Sequence, residues 1–161
     1  AGGADFQRGG EAHVGYEHTQ RGPWRYLGYL AAAGMVPLIW TAGNDTLAAV
    51  AIGAAALLVA VVCEGFSRLT IRDEGDRLGV YFGPPPVWRT HILYRDLVSA
   101  EQAKTTFLDG WGVHWMPSRG MTYNVWGFDC VKIKTARRTI QLGTDDAGGL
   151  AAFLAAKIAA S

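Results

Sequence analysis

The sequence contains few of the residue patterns that carry chemistry. Its two cysteines, Cys63 and Cys130, lie far apart and form no CxxC motif. Such cysteines are typical of apolar positions in a reducing compartment, and no Cys and His spacing predicts a zinc site. The GxSxG, GxGxxG and GxxxxGK[ST] motifs are also missing. We therefore predict a protein that is not an enzyme and binds neither metal nor cofactor. A membrane-bound enzyme would need a buried polar cluster that only the fold could reveal.

Charged residues are missing from two stretches near the N-terminus. Tyr26–Asn44 and Thr46–Cys63 contain no Asp, Glu, Lys, Arg or His, and only Asp45 separates them. At a rise of about 1.5 Å per residue, each stretch could cross a hydrocarbon core about 30 Å thick. We predict a transmembrane helical hairpin over residues 24–66. A buried hairpin in a soluble protein is the alternative.

The composition of the predicted hairpin limits what it could do. Without ionisable side chains it offers no proton relay, ion pathway or haem ligand. Small residues recur four positions apart, which lets helix backbones approach closely. These predicted helix-packing residues are Gly28, Ala32, Ala49 and Gly53.

The distribution of charge predicts the orientation in a membrane. Residues 67–161 contain twelve Lys and Arg against nine Asp and Glu, a net of +3, whereas Gly43–Thr46 has no Lys or Arg. By the positive-inside bias, both termini are cytoplasmic and the connection is outside. We predict a multi-pass protein of the bacterial cytoplasmic (inner) membrane. Residues 1–23 are predicted to form an extended polar tail ahead of the hairpin.

After the hairpin, apolar residues alternate with polar ones, as in β-strands. Leu69 and Ile71 alternate with arginines and a threonine, and a turn at Asp73–Asp76 leads into a second alternating run. Further strands are predicted at Leu97–Lys104 and Thr139–Gly143. The chain closes with an amphipathic helix for which Thr144 is the predicted N-cap. About seven short antiparallel strands and this helix would make a small domain over residues 67–161, in which the helix closes one end of a bent sheet or barrel.

Four segments carry a resemblance to a known family. They are Tyr94–Glu101, Gly110–Val113, Tyr123–Val125 and the approach to the last helix, Ile140–Asp146. In this order they resemble bacterial membrane proteins that have a two-helix hairpin followed by a pleckstrin-homology-like domain. The resemblance implies an α+β membrane protein with a seven-stranded PH-like barrel or sandwich and a C-terminal capping helix. It implies recognition or scaffolding, and it brings no catalytic residues.

Basic and aromatic residues of the predicted domain are candidates for contacts with partners or lipid. A basic surface beside a membrane is attracted by about 1 kcal/mol per charge, and exposed aromatic residues often anchor protein contacts. Ordinary solvated strand residues and core packing are the alternatives. The candidates are Arg68, Arg72, Arg89, Arg95, Trp111, Trp115, Lys132, Lys134, Arg137 and Arg138. The near-neutral chain does not favour nucleic acid as a partner.

These observations lead to two functional hypotheses. The preferred one is a non-catalytic accessory or scaffold subunit of a larger membrane complex, such as a photosynthetic reaction-centre or respiratory assembly. Its partners would be other membrane protein subunits and membrane lipids, with the tail lying across a neighbour. The alternative is a free-standing, membrane-tethered module that binds lipid or peptide.

Overall fold

The computed structural model of the protein describes residues 15–83, 88–106, 112–117 and 120–160. In these ranges the helices are α1 (Trp24–Thr41), α2 (Thr46–Gly65) and α3 (Ala147–Ala159), with a short 3-10 helix at Tyr94–Asp96. The strands are β1 (Glu17–Arg21), β2 (Arg68–Asp73), β3 (Arg77–Phe82), β4 (Trp88–Leu93), β5 (Leu97–Lys104), β6 (Gly112–Met116), β7 (Gly120–Asn124), β8 (Asp129–Thr135) and β9 (Thr139–Gly143).

Helices α1 and α2 lie against each other and are called the helix pair below. The Asp45 side chain caps α2 by accepting a hydrogen bond from the Ala48 N–H at 3.0 Å. Pro37 lies inside α1, where it removes one backbone donor from the helix. The two helices approach closely at Gly28, because a Cβ added there would lie 2.4 Å from Cys63 Cβ.

The first sheet has the order β1-β2-β3-β4, and all its neighbours are antiparallel. Leu69 and Ile71 of β2 face the core, as their alternation predicts. Strand β1 comes from the segment predicted to be a tail, and it pairs with β2 over the whole of Glu17–Arg21. The start of α1 and the end of α2 are therefore held at the same sheet.

The second sheet has the order β5-β8-β9-β7-β6. Strands β8 and β9 form one hairpin and β6 and β7 another, and the two hairpins join through a parallel pairing of β7 with β9. The predicted all-antiparallel arrangement is wrong at this one pairing. Gly120 allows the junction, since its φ is +83° and a Cβ there would lie 2.1 Å from the Thr139 carbonyl oxygen.

The core lies between the two sheets and α3. Its buried residues come from both sheets and from the helix, including Leu69, Phe82, Ile133, Leu150 and Leu154, each with no more than 2% of its surface exposed. Helix α3 packs mainly on β5 and β8. Its N-cap is Asp146, which accepts from the Gly149 N–H at 3.0 Å. The predicted N-cap, Thr144, instead accepts from the Asp146 N–H at 3.1 Å.

The predicted fold class is wrong in two respects. Among the described residues, only α2 is long and apolar enough to cross a membrane, so a two-helix transmembrane hairpin is not found. The strands form a four-stranded and a five-stranded sheet, not one seven-stranded PH-like barrel. One strand beyond those predicted is β1, which precedes the helices and whose polar sequence gives no alternation signal. The predicted multi-pass topology likewise has no support, although one helix able to span a membrane is present.

The sheets have two distinct ends. At the helix end, the Gly22 N–H donates to the Ser67 carbonyl at 2.7 Å and the Trp24 indole donates to the Val125 carbonyl at 2.8 Å. At the far end, the Tyr94 N–H donates to the Asp76 carbonyl at 3.1 Å. Strand β2 runs from one end to the other, and at about 3.3 Å per residue it separates them by roughly 17 Å.

Candidate membrane interface

Large apolar side chains cover the outside of the helix pair. They include Trp40, which is 85% exposed, and Leu57, which is 66% exposed. The others are Leu27, Leu30, Val36, Leu38, Leu47, Val50, Leu58, Val61 and Val62. Single exposed apolar residues are normal, but a contiguous surface of this size marks a contact with lipid or with another protein.

Helix α2 is not covered by the rest of the described chain. None of the 18-residue apolar window within Thr46–Gly65 is buried in the protein. A core helix of the same composition would have most of that window covered. The sequence alternative of a buried hairpin is therefore wrong for α2.

One cluster of polar side chains lies at the base of the helix pair. The Glu64 carboxylate is 3.4 Å from a guanidinium nitrogen of Arg25 and accepts a hydrogen bond from the Tyr29 hydroxyl at 3.2 Å. The Arg25 and Glu64 side chains are only 22% and 23% exposed. Because the two charges neutralise each other beside the sheets, the base of the pair can lie at the level of lipid head groups.

Aromatic side chains surround the helix end of the sheets. Trp126 packs edge-on against Trp24, with ring centroids 6.2 Å apart. Tyr26, Trp88, Trp126 and Phe128 are exposed by 69%, 45%, 40% and 48%. Aromatic rings favour membrane–water interfaces because one part of the ring system is apolar and another polar. We call these four residues the aromatic collar; our sequence interpretation did not include them as a group.

The predicted helix-packing residues do not behave alike. Gly28 is buried against Cys63 and lies at the helix–helix contact. Ala32 and Ala49 are half-buried. A Cβ at Gly53 would meet nothing within 4 Å, so this glycine does not contribute to helix packing in the described chain.

The predicted contact residues are spread over both ends of the sheets. Arg68 and Arg89 lie toward the helix end and Lys132 in the middle of β8, whereas Arg72, Arg95, Lys134, Arg137 and Arg138 lie toward the far end. A guanidinium nitrogen of Arg72 also lies 3.1 Å from the Glu74 carboxylate. Trp115 is 66% exposed on β6, and Trp111 lies outside the described residues. The basic side chains therefore form no single surface facing the helix pair.

Glu74 organises a polar network at the far end. Its carboxylate lies 3.1 Å from Arg72, 2.9 Å from Arg77 and 3.6 Å from His91, and it accepts a hydrogen bond from the Tyr81 hydroxyl. The bond from Tyr81 is the main cause that lowers the pKa of Glu74 to about 2, and both arginines add to it against the opposing effect of burial. The sequence showed this residue only as part of a turn.

Asp73 ties α3 to the first sheet. Its carboxylate lies 2.9 Å from the Lys157 ammonium and accepts from the Tyr94 hydroxyl at 2.7 Å. Burial works against ionisation, but the hydrogen bonds from Tyr94 and Lys157 leave the pKa of Asp73 below its usual value. Burial next to Asp73 also raises the pKa of Tyr94. Both carboxylates are thus held by cations and hydroxyls, as in a structural ion-pair network.

The described ranges contain no group of three or more His, Cys, Asp or Glu side chains that could hold a metal ion. No family model, curated protein or solved structure matches the chain. The resemblance to membrane proteins with a PH-like domain therefore stays a prediction.

Proposed function

We propose that this protein is a non-catalytic accessory subunit of a larger membrane complex, anchored by α2. Its two sheets would lie at the membrane surface and contact other membrane protein subunits and lipid head groups. The observation that carries the proposal is the apolar surface of α2, where no residue of the 18-residue apolar window is buried in the described chain.

The energetics favour insertion of α2 over exposure to water. Strongly apolar residues at the centre of a membrane helix each contribute about −0.3 to −0.6 kcal/mol to insertion. Leu47, Val50, Leu57, Leu58 and Val61, all at least 48% exposed, would gain this energy without any change in the fold. In water the same residues would promote association.

The arrangement of the helix end fits the same orientation. The aromatic collar and the Arg25–Glu64 pair would lie at head-group depth. The net positive charge of residues 67–161 supports a location of the sheets on the cytoplasmic face of a bacterial membrane.

The accessory role is supported by what α2 offers to neighbours. It has no ionisable side chain between Thr46 and Cys63 and its exposed side chains are apolar, so it suits packing against other membrane helices. A photosynthetic or respiratory assembly would be a suitable host. The dispersed basic residues do not favour a free-standing module that binds lipid head groups.

A matched pair of lysine substitutions tests the anchoring. Leu57→Lys places a charge at the centre of α2, which opposes insertion by about 2.5–3.5 kcal/mol. Val98→Lys makes a similar change at a β5 residue that is 60% exposed. After expression in bacteria, we expect the wild type and Val98→Lys to float with membrane vesicles after alkaline carbonate extraction.

Leu57→Lys, and more strongly Leu57→Lys with Leu58→Lys, should leave the vesicle fraction. Equal flotation of all variants, or a wild type released by carbonate, would contradict anchoring by α2. Native purification in mild detergent tests the accessory role separately. We expect co-migration with other membrane proteins in fixed ratio, and a chain that always migrates alone would refute this part.

A further inference from the structure

A cleft opens at the far end between the outer strand of the first sheet and the β8–β9 turn. Its volume is about 320 Å³. Strand β4 lines one wall with His91–Leu93, and the turn lines the other with Thr135, Arg137 and Arg138; Asp96 and Ile140 complete it. The cleft thus joins a strand edge to two adjacent guanidinium groups.

The two arginines lie in a hydrogen-bonded turn and have no acidic partner in the described part of the chain. The Thr135 hydroxyl accepts from the Arg137 and Arg138 N–H groups at 3.3 and 3.1 Å and donates to the Arg138 carbonyl at 2.9 Å. Asp96, the one carboxylate that lines the cleft, lies 3.9 Å from Arg95. Guanidinium groups on a fixed backbone favour carboxylate ligands because their planar donors match both oxygens.

The edge of β4 is open in the same place. Strand β4 is the last strand of its sheet and pairs only with β3. Across the described ranges, none of the backbone hydrogen bonds made outside the strand ladders involves Trp88–Leu93. Unpaired groups on a strand edge are a template for an added strand.

We propose that this cleft binds an extended acidic peptide of a partner protein. The peptide would pair with the outer edge of β4 and present a carboxylate to Arg137 and Arg138. His91, whose ring lies 3.6 Å from Glu74, would be a neighbour of the site and not one of its anion contacts.

The position of the cleft does not favour lipid as its ligand. If α2 is anchored as proposed above, the far end lies roughly 17 Å from the helix end, about two Debye lengths at physiological salt. Head groups of the same membrane would then be out of reach of both arginines. This exclusion depends on the proposed function, whereas binding of the peptide does not.

A selection with a display library of random octapeptides tests the proposal. The full chain is held in nanodiscs of uncharged lipid, and enriched peptides are then measured individually. We expect enrichment of extended sequences containing Glu or Asp, and binding about tenfold or more weaker to the Arg137→Glu, Arg138→Glu variant. The control, Arg21→Glu, reverses an exposed charge at the helix end and should bind like the wild type.

Hydrogen exchange supplies the second readout. Bound peptide should slow exchange of the outward-facing amides of β4 and leave β1 unchanged. No enrichment of acidic peptides, binding that is insensitive to the arginines, or binding without protection of β4 would each overturn the proposal. Flotation of the charge-reversed variants with membranes is also measured. This distinguishes a failure of peptide binding from a failure of membrane anchoring.

Discussion

The helix pair and the two sheets with α3, called the body below, place their apolar residues in opposite ways. In the body, Leu69, Phe82 and Leu154 are buried completely. In the helix pair, Leu57 and Leu58 are exposed by 66% and 63%. The body therefore carries its own core, whereas the helix pair presents to its surroundings the surface that a core would bury. This difference supports the proposal that α2 contacts lipid.

Truncating one leucine to alanine in each region tests this contrast, and it is the prediction with the largest expected change in stability. Leu69→Ala opens a cavity in the body, and we expect it to lower the free energy of unfolding by about 2–5 kcal/mol. Leu57→Ala removes a side chain that is 66% exposed, so its effect should be within about 0.5 kcal/mol. Denaturant unfolding in mild detergent, followed by tryptophan fluorescence, measures both. Equal losses would mean that α2 is part of the folded core.

The close contact between α1 and α2 at Gly28 can be tested with two glycines. Gly28→Ala places a Cβ 2.4 Å from Cys63 Cβ, and we expect the overpacking to cost about 1–3 kcal/mol and to separate the helices. Gly53→Ala enters open space and should stabilise α2 by about 0.5–1 kcal/mol. Thermal unfolding and amide exchange of α1 and α2 measure the effects. A neutral Gly28→Ala would show that the helices do not pack at this point.

The polar network of the body predicts a smaller, pH-dependent effect. The pKa of Glu74 is lowered from 4.5 to about 2, so the unfolded chain takes up this proton first. The stability from Glu74 is therefore complete above pH 4.5 and is lost as the pH falls toward 2. Glu74→Gln should flatten this part of the stability profile. The control is Glu101→Gln, at an exposed residue of β5, which should leave the slope unchanged.

The elements with regular patterns could be predicted from the sequence. The bounds predicted for β5 and β9 are confirmed, because alternation and turn residues are local signals. Strand β1 was missed because only Gln20 of Glu17–Arg21 is buried, so its pairing depends on β2, some fifty residues later in the chain. The parallel β7–β9 pairing was missed for the same reason, since local patterns do not specify which hairpins join.

The candidate interface could be predicted only in part. The apolarity of α2 is a local property and was visible in the sequence. Its exposure was not, since a core helix has the same composition. The aromatic collar brings together Tyr26 of α1, Trp88 of β4, and Trp126 and Phe128 of the β7–β8 connection, and no local pattern links these three segments. The cleft beside Arg137 and Arg138 likewise depends on where β4 ends its sheet.

A spin label at residue 57 tests the central claim, lipid contact by α2, most directly. The two native cysteines are first removed by Cys63→Ser and Cys130→Ala, and a label is then placed at Leu57→Cys or at Val98→Cys. In nanodiscs, the collision rate of each label is measured with oxygen, which concentrates in lipid, and with a water-soluble nickel chelate. We expect the label at 57 to meet oxygen and exclude the chelate, and the label at 98 to do the reverse. A label at 57 that meets the nickel chelate as often as the label at 98 would contradict the account.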